Sequence, residues 1–342
     1  MKAFVISGPQ QAGVEDVEPP TAGPGEVVID VARAGICGTD VEFYTGEMQY
    51  LHDGHASYPI RIGHEWMGTV TAVGEGVDST WLGRRVTGDT MLGCGECHRC
   101  RTGYHQVCEF RTELGIRAGR PGALAEQVAF PARYLHPLPD SVTDAAGALV
   151  EPGGNAWRSV EAARLSEGDR VLVLGPGTIG LLCAMFARAV GAEVHLMGRS
   201  GRSLEFARTF EFAGVWTEDD LPALRWDAVI EASNALHLPA KALQLVEPGK
   251  RIAYVGLAGS PSLIDSRLLV LGDLTAVGIL GASAGLAPTI RSYASGTVDP
   301  TPLIAATVGL DELAGVLAGE RPSDAASGPK IHVEITRRSG AE

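Results

Sequence analysis

The sequence has no apolar run long enough to cross a bilayer, so we expect no membrane-spanning helix and no membrane partner. Basic residues are also scarce, because 28 Lys and Arg stand against 41 Asp and Glu, for a formal net charge of -13. Binding to phosphate backbones needs clustered Lys and Arg, so we expect no nucleic-acid partner. The opening residues Met-Lys-Ala-Phe-Val-Ile predict a first strand and lack the apolar region of a secretory signal, so we expect a cytoplasmic protein.

Cysteine is scarce as well, with six residues in 342, yet four of them lie close together. Their spacing is C-x2-C-x2-C-x7-C, at Cys94, Cys97, Cys100 and Cys108. Thiolates at this spacing can complete one tetrahedral zinc shell, and disulfide pairing is the competing interpretation. Without a secretory signal, the pattern favours a structural zinc site. We expect His98 and His105, inside the cluster, to be solvated loop residues because the four thiolates already fill the shell.

The pattern of apolar and turn residues changes near residue 169. A chain of 342 residues is also long enough that two domains are expected. Before it, short β-branched runs such as 26–31 and 68–73 are separated by Gly and Pro, which predicts a compact, mainly β domain. After it, strands alternate with helical stretches, which is typical of a doubly wound parallel sheet. The strands are predicted at 170–174, 193–197, 228–231, 251–255 and 274–280. A helix near 288–295 and a last strand at 330–335, rejoining the first domain, complete an α/β fold.

A glycine-rich turn follows the strand predicted at 170–174 and precedes an apolar helix. Its sequence is Gly175-Pro176-Gly177-Thr178-Ile179-Gly180. In this context G-x-G-x-x-G indicates dinucleotide binding, because the glycines permit a tight turn and close approach of a pyrophosphate to free N–H groups at a helix N-terminus. A purely structural glycine turn is the alternative.

The residues that would meet the adenosine ribose favour NADP over NAD. An NAD site usually places Asp or Glu at the end of the next strand, whereas this chain has Gly198-Arg199-Ser200 there. Arg199 and Ser200 could bind a 2′-phosphate with charge-assisted hydrogen bonds. Alternatively, Arg199 is solvated or stacks on adenine. After the strand at 228–231, Ser233 is expected at the carboxyl edge of the sheet, near the adenosine.

Three separated segments supply the ligands of an open, catalytic zinc site. Cys37 lies in Gly-Ile-Cys-Gly-Thr-Asp, His64 in Gly-His-Glu, and Glu151 before Pro152. A thiolate, an imidazole and a carboxylate are ligands that catalytic zinc accepts while keeping one position open. Each residue taken singly has a buried structural role as an equal alternative.

Together these motifs resemble the zinc-dependent medium-chain dehydrogenase/reductase family over essentially the whole chain. The resemblance implies a GroES-like β-rich catalytic domain at 1–152, with a structural-zinc lobe at about 91–110. It implies a Rossmann-fold domain at 153–285 and a C-terminal segment, 286–342, that completes the first domain. By the same resemblance, Glu65 lies beside the catalytic zinc and can replace a ligand, Thr39 relays the alcohol proton, and Asp40 orients His64. Val255 and Leu280 match segments that approach the nicotinamide.

The resemblance also predicts the reaction and the class of substrate. Zinc held by Cys37, His64 and Glu151 would activate a substrate hydroxyl, and NAD or preferably NADP would accept the hydride. Where many alcohol and polyol dehydrogenases of the family have His, this chain has Glu42, as glucose-type enzymes do. Glu42, and in one interpretation Asp89, would bind vicinal hydroxyls, which favours a small polar polyol or sugar. A solvent-facing Glu42 is the alternative.

Three other functions would each share some of these features. A simple alcohol dehydrogenase using NAD would share the fold and the metal sites. A zinc-free dinucleotide-binding module would lack the catalytic ligands, and a zinc-stabilised interaction or nucleic-acid protein would have a basic surface. The resemblance further implies two zinc ions per chain and a homodimer or homotetramer, formed through the edge strand near 274–280.

Overall fold

The computed structural model describes residues 1–199 and 201–335, which form two compact units. The strands are β1 (Lys2–Gly8), β2 (Gln11–Asp16), β3 (Glu26–Gly35), β4 (Glu65–Val73), β5 (Arg85–Gly88), β6 (Met91–Leu92), β7 (Thr112–Glu113), β8 (Gln127–Pro131), β9 (Leu135–Pro137), β10 (Arg170–Leu174), β11 (Glu193–Met197), β12 (Gly214–Trp216), β13 (Trp226–Glu231), β14 (Val246–Tyr254), β15 (Thr275–Gly278), β16 (Ile304–Val308) and β17 (Lys330–Glu334). The helices are α1 (Gly38–Thr45), α2 (Gln49–His52), α3 (His98–Arg101), α4 (Asp144–Gly147), α5 (Val150–Ala163), α6 (Thr178–Ala189), α7 (Gly201–Arg208), α8 (Leu238–Leu245), α9 (Ser266–Leu271), α10 (Leu286–Ala294) and α11 (Leu313–Leu317).

The first unit is built around a mainly antiparallel sheet. Its strands follow the order β16-β17-β3-β4-β5-β9, and β8 also pairs with β3. The C-terminal strand β17 runs antiparallel to β3 and parallel to β16, so the end of the chain completes the sheet of the N-terminal domain. Across this sheet, His332 faces Gly35 and Gly35 faces Glu65. The register therefore aligns the end of β3, the start of β4 and the start of β17.

The core of the first unit lies on one face of that sheet. Trp66 and Phe130 are fully buried there, with their ring centroids 5.2 Å apart at 63°. Val333 of β17 belongs to the same apolar cluster, whereas its neighbours Lys330 and His332 belong to the opposite face, because side chains alternate along a strand. The last strand thus closes the core with one face and places Lys330 and His332 on the other.

The second unit is a doubly wound parallel sheet. Its six strands follow the order β12-β11-β10-β13-β14-β15, and every pairing is parallel. This order reverses direction between β10 and β13, which is the point where ligands bind in folds of this type. The predicted α/β class, with a β-rich domain and a Rossmann-fold domain, is confirmed.

The C-terminal domain boundary differs from the prediction. The first unit contains Met1–Glu151, Ile304–Ala326 and, within the described residues, 330–335, whereas the second contains Pro152–Leu303 and Ser327–Pro329. Residues 286–303, which we assigned to the catalytic domain, therefore belong to the dinucleotide unit. The reason is packing, because Tyr293 of α10 stacks on Phe186 of α6 with ring centroids 6.2 Å apart.

Within the described ranges, no helix combines the length and the apolar character needed to span a membrane.

Candidate functional site

Three of the predicted metal ligands meet in the first unit. The ligand atoms of Cys37, His64 and Glu65 all lie within 4.8 Å of one another. Cys37 caps the N-terminus of α1 just after β3, and Glu65 opens β4, the strand paired with β3. Because one strand ends where its neighbour begins, a thiol, an imidazole and a carboxylate reach the same place.

Asp40 lies against two of these side chains. It is fully buried on α1, and its Oδ2 accepts a hydrogen bond from the Cys37 N–H at 2.9 Å. Its Oδ1 lies 3.7 Å from His64 Nδ1, and neither of these two buried atoms has a hydrogen-bonding partner among the described residues. This geometry would fix the orientation of the imidazole ring if its other nitrogen bound a metal.

The electrostatics of the group favour a cation. Burial opposes a charge on His64, but Asp40, Cys37 and Glu151 outweigh this effect and raise the pKa of His64 well above its usual value. A buried imidazole surrounded by anions therefore holds positive charge strongly. A divalent metal ion would satisfy the same anions, so the donor set and its charge fit zinc.

Lys330, at the start of β17, is a member of this site that sequence reasoning missed. Its Nζ donates to both carboxylate oxygens of Glu65, at 2.7 and 2.8 Å, and to the Ile36 carbonyl at 2.8 Å. The side chains of Lys330 and Glu65 are only 3% and 2% exposed. Burial opposes the ammonium charge, but Glu65 outweighs it and the pKa of Lys330 is raised. One lysine therefore links the segments that carry Cys37 and His64.

Gly35 provides the space for this ion pair. A Cβ added at Gly35 would overlap a carboxylate oxygen of Glu65. The glycine before Ile36 and Cys37 therefore permits close approach of backbone and carboxylate. Any larger residue would displace Glu65 from Lys330.

Glu151 lies near this group but outside the 4.8 Å set. It is buried in the first turn of α5, and its charge contributes to the raised pKa of His64.

Thr39 Oγ1, on α1, lies 4.0 Å from Cys37 Sγ. Glu42, one turn further along α1, is exposed as a residue, but partial desolvation of its carboxyl and the nearby charge of Glu47 raise its pKa. The structure thus brings Thr39 to the metal group and leaves Glu42 on a solvent-facing surface.

The four clustered cysteines form a second metal group. The Sγ atoms of Cys94, Cys97, Cys100 and Cys108 lie within 4.8 Å of one another, and all four cysteines are free of disulfides. Two of the Sγ pairs are 3.9 Å and 3.7 Å apart, close to the edge of about 3.8 Å expected for a tetrahedron of sulfurs around zinc. The N–H groups of Glu96 and Cys97 lower the pKa of Cys94 to about 6. These contacts stabilise the thiolate form that binds a metal.

His105 and Asp89 differ from the expectations for them. His105 is not a free loop residue, because its Nε2 lies 2.7 Å from Asp89 Oδ2 and its ring packs on Tyr134. Asp89 is 1% exposed, and its other oxygen accepts from the Met91 N–H. Both carboxylate oxygens of Asp89 thus have partners within the first unit, which disfavours Asp89 as a ligand for substrate hydroxyls.

In the second unit, the predicted dinucleotide turn joins β10 to α6. Gly175 has a φ of 104°, and a Cβ added at Gly180 would overlap the Gly175 carbonyl. A Cβ at Gly177 would meet nothing within 4 Å, so open space lies in front of the first turn of α6, where Thr178 and Ile179 stand. The turn therefore has the tight bend, the close helix packing and the open approach that a pyrophosphate needs.

The other predicted cofactor residues follow neighbouring strands of the same parallel sheet. Arg199 is exposed just after β11, Ser233 follows β13, Val255 follows β14 and Leu280 follows β15. Because parallel strands end at one edge, these residues share the edge that carries Gly175. Ser200 lies outside the described residues.

Glu231 is a further residue that sequence reasoning did not single out at this edge. It is 1% exposed at the end of β13, and its Oε1 accepts hydrogen bonds from the Ser233 N–H at 2.9 Å and from the Ser233 hydroxyl. Burial raises its pKa, although both contacts to Ser233 oppose this effect. The carboxylate therefore shapes the turn that carries Ser233.

Comparison with known proteins identifies the family. Residues 23–140 match the model of the alcohol dehydrogenase GroES-like domain. The chain is 34% identical over 304 residues to 2-dehydro-3-deoxy-L-galactonate 5-dehydrogenase of Pseudoalteromonas atlantica, covering 86% of this chain and 87% of that one. It is 33% identical over 278 residues to L-threonine 3-dehydrogenase of Idiomarina loihiensis, covering 78% and 80%. The chain belongs to the zinc-dependent medium-chain dehydrogenase/reductase family.

A solved structure of similar fold matches almost the whole length. The crystal structure of an Escherichia coli CFT073 alcohol dehydrogenase (rspB) complexed with NADH has a TM-score of 0.88 and 28% sequence identity, covering 98% of this chain and 99% of that one. Membership of the medium-chain dehydrogenase family confirms the predicted class of enzyme. The protein is an oxidoreductase that acts on CH–OH donors.

Removal of the Lys330 ammonium should destabilise the first unit strongly. Lys330→Met leaves Glu65 as an unpaired buried carboxylate, which should lower the free energy of unfolding by about 3–5 kcal/mol. Urea denaturation followed by circular dichroism measures the change. Lys241→Met is the matched control, because its pair with Glu218 has side chains 28% and 33% exposed and should lose about 1 kcal/mol or less. Equal losses in the two variants would contradict the role given to Lys330.

Proposed function

We propose that this protein transfers a hydride between NADP, or less readily NAD, and a secondary alcohol or carbonyl of a small polyol, sugar or related polar substrate. The observation that carries the proposal is the buried group of Cys37, His64 and Glu65 around Asp40, because its charge and its ligand types suit a catalytic zinc ion. The glycine-rich turn in the second unit is further support for a nicotinamide dinucleotide as the cofactor.

Cys37, His64 and Glu151 would hold the catalytic zinc, and Glu65 would stand by as an exchange ligand. Both oxygens of Glu65 accept hydrogen bonds from Lys330. A carboxylate engaged in this way is a poor resting ligand, so Glu151, whose charge acts on His64, is assigned as the third ligand. This ligand set leaves one zinc position open for substrate, as catalytic sites require.

The roles of the protein's own residues follow from their contacts. Zinc in this site would supply a Lewis acid that lowers the pKa of the substrate hydroxyl, and the nicotinamide would accept the hydride. Thr39 Oγ1, beside Cys37, would take the hydroxyl proton and pass it outward. Asp40 would keep the His64 ring and the Cys37 backbone in place.

A second zinc, with a structural role, would be held by Cys94, Cys97, Cys100 and Cys108. Four thiolates complete its shell, so no position remains for substrate. All six cysteines of the chain are free, which fits the reducing compartment expected of a cytoplasmic enzyme.

The preference for NADP rests on Arg199. Its side chain is exposed after β11, where a carboxylate would select the ribose hydroxyls of NAD. A guanidinium there supplies paired donors for a 2′-phosphate. The runner-up is a simple alcohol dehydrogenase that uses NAD, which the NADH bound in the E. coli rspB structure supports.

A polar substrate is supported by the relatives and by Glu42. The names of the two relatives give them L-threonine and 2-dehydro-3-deoxy-L-galactonate as substrates, both rich in polar groups. Glu42, exposed on the helix that Cys37 caps, could accept a hydrogen bond from a second substrate hydroxyl. A zinc-free dinucleotide module is disfavoured, because two complete sets of metal ligands would then have no use.

A homodimer or homotetramer formed through the second unit is part of the proposal. Large apolar side chains near the edge strand β15 are exposed, including Leu263 at 90%, Val270 at 79% and Leu271 at 83%. Such a concentration of exposed apolar side chains is typical of an interaction surface. A second copy of the chain would cover it.

Substitutions in the two metal groups should have different effects on turnover and stability, while each removes one zinc ion. The purified protein should hold about two zinc ions per chain, as one closed and one open site require. Cys37→Ser should lose one zinc and turnover in an absorbance screen of polyols, aldoses, sugar acids and simple alcohols with each cofactor. Cys97→Ser should lose the other zinc and thermal stability. Cys183→Ala, at a buried thiol outside both groups, is the control and should keep both ions. A Cys37→Ser variant with wild-type turnover would refute the catalytic site.

Substitution of Arg199 should reverse the cofactor preference. The wild-type enzyme should show a higher kcat/KM with NADP than with NAD. Arg199→Asp should lower kcat/KM with NADP by about tenfold or more, since it replaces a charge-assisted contact with repulsion. Its effect with NAD should be small. A wild-type enzyme that prefers NAD would remove the proposal for NADP and leave the dehydrogenase intact.

A further inference from the structure

A cavity in the first unit has no part in the proposed reaction. It has a volume of about 300 Å³, at the lower end of the range for small-molecule pockets. Its walls come from the β1–β2 hairpin, from the segment before His64 and from the loop at 119–121. None of its lining residues belongs to a metal group or to the dinucleotide turn.

Arg61 is the unusual residue in this cavity. Its side chain is half-buried, yet it has no hydrogen-bonding or ion-pair partner within residues 1–199 and 201–335. Comparable arginines in this unit are paired, since Arg85 contacts Asp144 and Arg111 contacts Glu113. Burial lowers the pKa of Arg61, as expected for a guanidinium that has lost water without gaining an anion. An oxyanion from outside the chain would supply the missing partner.

Arg120 places a second guanidinium at the same cavity. Its Nη2 donates to Glu26 Oε1 at 2.9 Å and to the Ala129 carbonyl at 2.8 Å, which fixes the group in place. Its Nε is buried and has no hydrogen-bonding partner in the described chain. A rigid guanidinium loses little entropy when it binds a ligand, so Arg120 is prepared for an anion.

The remaining lining residues narrow the class of ligand. Glu15 contributes a carboxylate that has no partner among the described residues, and it forms no ion pair with Arg61. A carboxylate that lines the same cavity as two guanidinium groups disfavours a highly charged anion and would accept a hydrogen bond from a hydroxyl or an amine. Val5, Val17 and Ile60 supply apolar walls.

We propose that this cavity binds a small carboxylic acid that also carries a hydroxyl or amino group. Its carboxylate would lie between Arg61 and Arg120, and its hydroxyl or amine would donate to Glu15. The site would be separate from that of the dehydrogenase substrate, so the inference goes beyond the proposed function.

Calorimetric titration of the zinc-loaded full chain, without nicotinamide, tests this site. The probes are glycerate, propionate and inorganic phosphate. Glycerate should bind one per chain and more tightly than the other two. Arg61→Gln should weaken glycerate binding by about tenfold or more, as loss of a charged hydrogen bond predicts. Arg291→Gln, at an exposed arginine of α10 in the second unit, is the matched control and should bind as the wild type does.

Glu15→Gln provides an independent check. It removes the like charge, so propionate should bind more tightly, and the advantage of glycerate over propionate should shrink. Binding that is equal in wild type and Arg61→Gln would place glycerate elsewhere, including at the zinc, and would overturn the proposal. Absence of saturable glycerate binding, or tighter binding of phosphate, would overturn it as well. None of these readouts needs catalytic turnover, so they are independent of the dehydrogenase assignment.

Discussion

The structure of the first unit depends on how buried negative charge around His64 is balanced. Cys37, Asp40, Glu65 and Glu151 surround or approach this imidazole, and one lysine offsets part of their charge. Burying anions without partners costs free energy, so a cation bound among these side chains would stabilise the folded unit. The β3–β4–β17 pairing satisfies this requirement, because it brings the ligand segments and Lys330 to adjacent strand ends.

The two units position their predicted functional residues with different kinds of sheet. In the first unit, an antiparallel sheet positions metal ligands where one strand ends and its partner begins. In the second unit, the parallel strands all end at one edge of the sheet. Four separate segments therefore place residues at that edge, namely Gly175, Arg199, Ser233 and Val255. Glu231 supports that edge through hydrogen bonds to Ser233, as Asp40 supports the metal group through Cys37.

Local patterns made most of the fold and the motifs predictable. The strands at Arg170–Leu174 and Glu193–Met197 match the prediction residue for residue, because each is a short, mainly apolar run bounded by turn residues. The cysteine cluster and the glycine turn are short motifs whose spacing itself carries the chemistry. Both depend on neighbours in sequence.

Contacts between distant segments could not be predicted in the same way. Lys330 lies 265 residues from Glu65, and nothing around it distinguishes a buried partner from an exposed strand residue. The contact between His105 and Asp89 joins residues 16 positions apart, and the sequence suggested a solvated side chain for His105 and a substrate ligand for Asp89. The C-terminal segment of the first unit begins at residue 304 and not at the predicted residue 286. Tyr293 packs on Phe186 of the second unit, and nothing in the neighbouring sequence indicates that contact.

The central claim is that Cys37 and His64 share one catalytic zinc ion. Anomalous X-ray scattering from crystals, recorded on both sides of the zinc absorption edge, tests it most directly. The account predicts two peaks per chain, one between Cys37 Sγ and His64 Nε2 and one enclosed by the four sulfurs of Cys94, Cys97, Cys100 and Cys108. A turnover-competent, zinc-replete crystal with no peak beside Cys37 and His64 would contradict it.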